Sequence, residues 1–153
     1  MNFADTNWLV AMFFEQAGDL KQRNAVVDRF LRAHHGQLLV SPVVLLECEN
    51  VFRHEAGESQ PVELEQLETD DRFYRDPMNW AVLKRETQEL FRHYAHKIKL
   101  GTFDATLLAS AKLAGAKTIL SFDENFKALA TAEGLQVFPP LSASGQATLA
   151  KLR

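Results

Sequence analysis

The stretch Thr118-Ile119-Leu120-Ser121-Phe122-Asp123-Glu124-Asn125-Phe126 decides how the chain is read. Its opening Thr-Ile-Leu-Ser is short and β-branched or apolar, the pattern of a strand over 118–121. Asp123 follows two residues later, and helical spacing begins at Glu124 and runs to Glu133. A strand, an acid at its carboxyl end and a helix directly after it form a β–α unit. The beginning of the chain repeats that order: an apolar start over residues 1–4, then Asp5-Thr6-Asn7, then a helix over 8–15 that closes near Gly18.

Working outward, residues 20–35 carry apolar side chains at Ala25, Val26, Phe30 and Leu31 in helical spacing, and Gly36 is a suitable stop. Leu38-Leu39-Val40 is a second strand candidate. Ser41-Pro42 opens the next helix, Ser as cap and Pro in the first turn, and that helix runs to about Ala56. Residues 57–79 are the most polar part, with a helix starting at Pro61 and a boundary at Pro77. A long amphipathic helix is expected over 80–98, with Leu83, Leu90, Phe91 and Tyr94 on its apolar side, and another over 103–115. A last strand over 135–138 stops at Pro139-Pro140. The pattern predicts one α/β domain over 1–140, a three-layer α/β/α arrangement around a central, mostly parallel sheet, with a tail over 141–153 that can form a terminal helix.

Bulk properties narrow the function. Apolar runs such as 8–14 and 43–46 are too short to cross a bilayer, so no membrane association is expected. The opening residues do not resemble a signal peptide, because Asp5 interrupts them and no basic segment precedes the apolar run. Cys48 has no cysteine to pair with and suits a reducing compartment, so the cytoplasm is the expected location. A net charge of −3 argues against a passive binder that wraps phosphates with a basic face. It argues less against a nuclease, since clustered carboxylates lower the net charge and a bound cation reverses their local sign. No Ser-His-Asp arrangement, phosphate-cradling Gly loop or dinucleotide fingerprint is visible.

Asp5 and Asp123 both fall at the carboxyl ends of strands, where open α/β sheets build their sites. Asp104 lies in the first turn of its helix, where the helix dipole favours an ionised carboxylate. Glu47 sits inside Val43-Val44-Leu45-Leu46-Glu47-Cys48, a stretch that otherwise reads as core, and burial there costs roughly several kcal/mol unless a charge compensates it. Oxygen ligands without Cys or an evident His suit a hard cation, Mg²⁺ or Mn²⁺. Each acid also has a plainer role available: Asp5 and Asp123 as helix caps, Asp104 as a first-turn acid, Glu47 turned to solvent.

The order of these contexts resembles the PIN-domain family, including the VapC-type toxins of toxin–antitoxin pairs. Asp5-Thr6-Asn7 looks like the family's first acidic motif and the stretch from Ser41 to Glu47 its second. Phe103-Asp104-Ala105-Thr106-Leu107-Leu108-Ala109-Ser110-Ala111 resembles the third, and the quoted stretch around Asp123 resembles the fourth, with Asn125 where a second Asp often stands. The resemblance implies that Asp5, Glu47 and Asp104 supply most of the metal-binding carboxylates. Asp123 would be a fourth ligand or orient the attacking water, and Asn7 and Ser121 would support them. It further implies a Mg²⁺- or Mn²⁺-dependent endoribonuclease, RNA as substrate, a homodimer, and a small antitoxin that covers the acidic site. Asn125 leaves open a one-metal site, or a PIN-like module that binds nucleic acid or protein without turnover. A DNA-directed nuclease would share the same residues.

His93 and His96 are spaced like a metal pair but lack a third ligand and read as a solvated face, which Arg92, Lys97 and Lys99 extend with positive charge that could touch phosphates. Trp8, Phe13 and Phe14 read as core or dimer contacts.

Overall fold

The structure, a computed structural model, describes residues 1–14, 19–56 and 62–153. The helix end at Glu15, the stop near Gly18, the start of the polar segment at Gly57 and the helix start at Pro61 lie outside the described residues. Five three-residue strands make one sheet: β1 Asn2–Ala4, β2 Leu38–Val40, β3 Phe73–Arg75, β4 Thr118–Leu120 and β5 Gln136–Phe138. Their order is β3-β2-β1-β4-β5 and every neighbouring pair is parallel. The described helices are α1 Thr6–Phe13, α2 Asp19–Ala33, α3 Pro42–Ala56, α4 Val62–Thr69, α5 Trp80–Tyr94, α6 Thr102–Leu113, α7 Glu124–Ala132 and α8 Ala143–Leu152. They cover the sheet to give the three-layer α/β/α architecture that the alternation of strands and helices predicts.

A parallel sheet covered on both faces needs strands that are apolar on both sides. Phe3, Ala4, Leu38, Leu39, Val40, Ile119 and Leu120 meet that need and are buried. Beyond β1 the core continues into Trp8, which is fully buried. Its ring lies edge-on to Phe30 and Phe138, with centroids at 5.4 and 6.0 Å, and stacks on Phe122 at 5.5 Å. Gly115 and Gly134 end α6 and α7 with φ of +79° and +83°, a left-handed stop that lets the chain enter β4 and β5 directly.

Polar bonds fix the outer layer. Lys112 on α6 bridges Glu86 of α5 at 2.6 Å and Glu133 at the end of α7 at 2.7 Å, and the Tyr94 hydroxyl also donates to Glu133. Lys127 is almost completely buried, and its Nζ donates to the Pro139 carbonyl at 3.0 Å while pairing with Glu124 at 2.9 Å. This satisfied lysine holds the turn after β5 against α7. α8 packs on α7 and contributes Leu149 and Leu152 to the core.

The structure departs from the sequence reading in several places. β3 lies within the polar segment, where three residues beside a run of acids give no readable alternation; its place comes from pairing with β2, Val40 opposite Arg75. α1 begins two residues earlier than expected because Asp5 caps it. α2 turns Val27 and Phe30 inward, leaving Ala25 exposed. α5 ends at Tyr94 instead of continuing to Ile98, because the next amides close a turn on the Tyr94 carbonyl, Lys97 N at 2.9 Å and Ile98 N at 3.2 Å. Among the described residues, no helix is long and apolar enough to cross a membrane.

Trp8 is the test of the core. Replacing it by Ala removes three ring contacts at once, and urea denaturation is expected to show a loss of about 3–5 kcal/mol; a loss below about 1 kcal/mol would contradict this packing.

Candidate functional site

The chain runs from β1 outward to β2 and β3, then returns to the other side of β1 with β4 and β5. The strand order therefore reverses between β1 and β4, and the crevice beyond their carboxyl ends is the natural ligand position of an open α/β sheet. The ladder continues one step past both strands. Asp5 N donates to Leu120 O at 3.0 Å, and Ser121 N donates to Phe138 O at 3.1 Å. Asp5 and Ser121 thus sit at the reversal with their backbones fixed by the sheet.

Ser121 Oγ, fully buried, donates to Asp5 Oδ2 at 2.7 Å and accepts from Asp123 N at 3.0 Å. The other Asp5 oxygen accepts from Thr6 N at 2.7 Å, so Asp5 caps α1 as the plainer reading allows. Asn7 Oδ1 accepts from Phe122 N at 3.0 Å, joining α1 to the turn that carries Asp123. Asp123 likewise caps α7, one oxygen accepting from Asn125 N at 2.9 Å and Phe126 N at 3.1 Å. Its second oxygen has no hydrogen-bond partner among the described residues. Asp104 stands in the first turn of α6 and Glu47 on α3, both half-buried. Neither has a side-chain hydrogen bond among the described residues. Ser41 caps α3 as expected, accepting from Val44 N at 3.2 Å, and so sets the helix that presents Glu47.

The charges of Glu47 and Asp123 are felt by both Asp5 and Asp104. Burial pushes the Asp5 carboxyl up to about 7, against the pull of its Ser121 and Thr6 hydrogen bonds, and the charges of Glu47 and Asp123 push it further. Asp104 is raised to about 6, first by desolvation and then by Asp123 and Glu47. The same two neighbours act on both, so residues 19 to 118 positions apart in sequence come together at one edge. Among the described residues, no three His, Cys, Asp or Glu side chains already close around one point as a metal cage. The arrangement is an acidic mouth with one rigid carboxylate, Asp5, and less constrained ones around it.

Asn125, exposed at the start of α7, is bonded to α8: Thr148 Oγ1 donates to Asn125 Oδ1 at 3.0 Å. Sequence reasoning missed Thr148, which sits in a tail with no pattern of its own, and Arg23, whose guanidinium lies 5.0 Å from the centroid of Phe122 beside Asp123. Nothing in the spacing of α2 marks Arg23. His93 and His96 are exposed; His93 Nδ1 contacts its own helix at Glu89 O, 2.8 Å away. Cys48 is buried.

A fold of five parallel strands with acids at this reversal can be compared with known proteins. The model of the PIN domain family matches residues 3–132, and the chain belongs to that family. No curated protein matches the chain significantly in sequence. Among solved structures, it is similar to Mycobacterium tuberculosis VapC20, a Sarcin-Ricin loop cleaving toxin, at 21% identity and TM-score 0.68, covering 88% of this chain and 96% of that one. A toxin–antitoxin complex from Klebsiella pneumoniae aligns at 20% identity and TM-score 0.57, covering 80% and 87%. FitAcB from Neisseria gonorrhoeae aligns at 17% identity and TM-score 0.59, covering 92% and 98%.

Because the folded-state values of Asp5 and Asp104 lie above the ordinary 3.8, their ionisation opposes folding. The stability they leave intact below about pH 4 is lost as pH rises through 6 and 7. The lowered carboxylates Asp70, Glu124 and Glu133 act in the acid range instead, below the window in question. In EDTA, the melting temperature is expected to fall by several degrees between pH 5 and pH 8, and Asp5→Asn to flatten that fall; an unchanged slope in the variant would contradict the electrostatics of the site.

Proposed function

We propose that the protein is a divalent-metal-dependent endoribonuclease and the toxin of a toxin–antitoxin pair. The observation that carries this reading is the convergence of Asp5, Glu47, Asp104 and Asp123 at the point where the strand order reverses. The donor set fits a hard cation: four carboxylates, no thiolate or imidazole among them, and a buried Asp5 raised to about 7 in part by uncompensated like charge. Mg²⁺ or Mn²⁺ is the ion of choice, and it would be held by Asp5, Glu47, Asp104 and Asp123.

When bound, such an ion lowers the pKa of a coordinated water and neutralises charge on the phosphodiester. The chain's own groups do the rest. Asp5, fixed by Ser121 and Thr6, gives an immobile anchor. Glu47 and Asp104, whose side chains make no hydrogen bond among the described residues, are able to swing inward. Asp123, with one oxygen committed to its helix cap, keeps the other to orient the attacking water. Water oxygen bonds to phosphorus and gives its proton to solvent, the bond to the leaving ribose oxygen breaks, and that oxygen takes up a proton from solvent.

The solved structures named above include a toxin that cleaves the Sarcin-Ricin loop and a toxin–antitoxin complex, and they support RNA as substrate and an antitoxin as partner. A cleft of about 440 Å³ between α3 and α4, lined by Leu45, Val62, Leu64 and Leu67, adjoins the helix that carries Glu47. Val62 is exposed there. Glu49, Arg53, Glu65 and Glu68 complete its lining, and this mixed apolar and charged surface is suited to an antitoxin segment that also shields the acids. A homodimer and a cytoplasmic location complete the proposal.

The experiment is cleavage of mixed labelled RNAs with Mg²⁺, Mn²⁺ or EDTA. Metal-dependent cutting is expected in the wild type and its loss in Asp104→Asn. Ser121→Ala, which removes the bond that aims Asp5, is expected to lower activity about 10–100-fold. Equal cutting by wild type and Asp104→Asn would contradict the assignment.

A further inference from the structure

A second cleft opens beside the acidic mouth. It measures about 240 Å³, and its walls are the segment from Ile98 to Gly101 on one side and α8 on the other. Asp104 and Asn125 line it where it meets the acids, while Lys99 and Lys151 stand on its two walls. The walls are tied together, since Lys97 Nζ donates to Leu152 O at 2.9 Å, and buried Leu149 and Leu152 seat α8 on the core. Thr148 bonds Asn125 across the same cleft. α8 lies beyond residues 3–132, so this wall is outside the part of the chain that the family model matches.

The charges are arranged for an anion. Lys112 and Lys127 are each neutralised by carboxylates. Lys99 and Lys151 are exposed and form no ion pair among the described residues. They face a cleft whose single carboxylate, Asp104, belongs to the proposed metal site. The volume is below the roughly 300–1,000 Å³ of pockets that engulf a drug-sized ligand, and it suits a short piece of backbone instead.

We propose that this cleft is the subsite for an RNA phosphate next to the scissile one, with Lys99 and Lys151 as its binding residues. The inference rests on the nuclease reading and deepens it: α8 and the loop before α6 set the path of the strand as it leaves the acids. Asn125, pinned by Thr148, is part of that wall. A subsite built this way positions the substrate without touching the reacting atoms, so its loss weakens binding while the chemical step is kept.

The test uses the full chain and two assays. A short fluorescein-labelled single-stranded RNA is titrated by anisotropy at several NaCl concentrations, with Ca²⁺ replacing Mg²⁺ to slow turnover. Steady-state cleavage with Mg²⁺ is measured in parallel. The proteins are wild type, Lys99→Ala/Lys151→Ala and Lys117→Ala; Lys117 is an exposed lysine before β4, at the opposite edge of the sheet. The double variant is expected to bind about tenfold more weakly and to flatten the salt slope by about 0.7, the contribution of one phosphate contact on a single strand. Its KM rises with kcat held within about twofold, and Lys117→Ala matches wild type. An unchanged affinity and slope in the double variant, an equal loss in Lys117→Ala, or no RNA binding by wild type would each overturn the subsite. Cleavage that ignores the two lysines overturns the subsite and leaves the nuclease reading standing. Lysine-dependent binding without cleavage under any metal does the reverse.

Discussion

A buried carboxylate at the point where the sheet divides is the constraint on which the rest depends. Asp5 sits between β1 and β4 with 6% of its surface exposed, and an ionised group there costs roughly several kcal/mol unless its oxygens are satisfied. Ser121 and the Thr6 amide satisfy one oxygen each. The Thr6 amide comes with the helix cap, whereas Ser121 is in reach because the ladder carries the two strands one residue further, aligning Asp5 with Leu120 and Ser121 with Phe138. The hydrogen bonds pull the carboxyl down, yet burial and the neighbouring acids win, leaving it near 7. A positive charge placed among these acids would remove that conflict.

Much of this was legible in the sequence, and particular residues explain where it was not. The strands 38–40 and 118–120 are fully apolar or β-branched and bounded by clear stops, so they could be read directly. Asp5 and Asp123 announced themselves as acids at strand ends, and the resemblance of the surrounding motifs to the PIN family implied Glu47 and Asp104 beside them. β3 stayed hidden because Phe73-Tyr74-Arg75 is too short for a period and is held by tertiary contacts, its pairing with β2 and the Arg75 bonds to the Leu67 and Asp70 carbonyls. Thr148 and Arg23 stayed hidden for a similar reason: each touches its partner across a tertiary contact that local pattern does not encode.

The caps illustrate how plain and functional readings coexist. Asp5 and Asp123 both cap helices, and each keeps an orientation toward the crevice that the cap itself enforces. Capping spends one oxygen and fixes the rotamer, which is what a preorganised site requires. Asn125 follows the same economy, taking its position from Thr148 on α8. The reversal of strand order thus supplies the location, the caps supply the aim, and the terminal helix shapes the approach.

The central claim is that these four acids hold one divalent cation, and the most direct measurement is anomalous diffraction from crystals soaked in Mn²⁺. The account predicts a strong anomalous peak bounded by Asp5, Glu47, Asp104 and Asp123, with Glu47 and Asp104 turned inward to meet it. Saturating Mn²⁺ with no peak at that position, or with a peak only at a remote place such as His93 and His96, would contradict it.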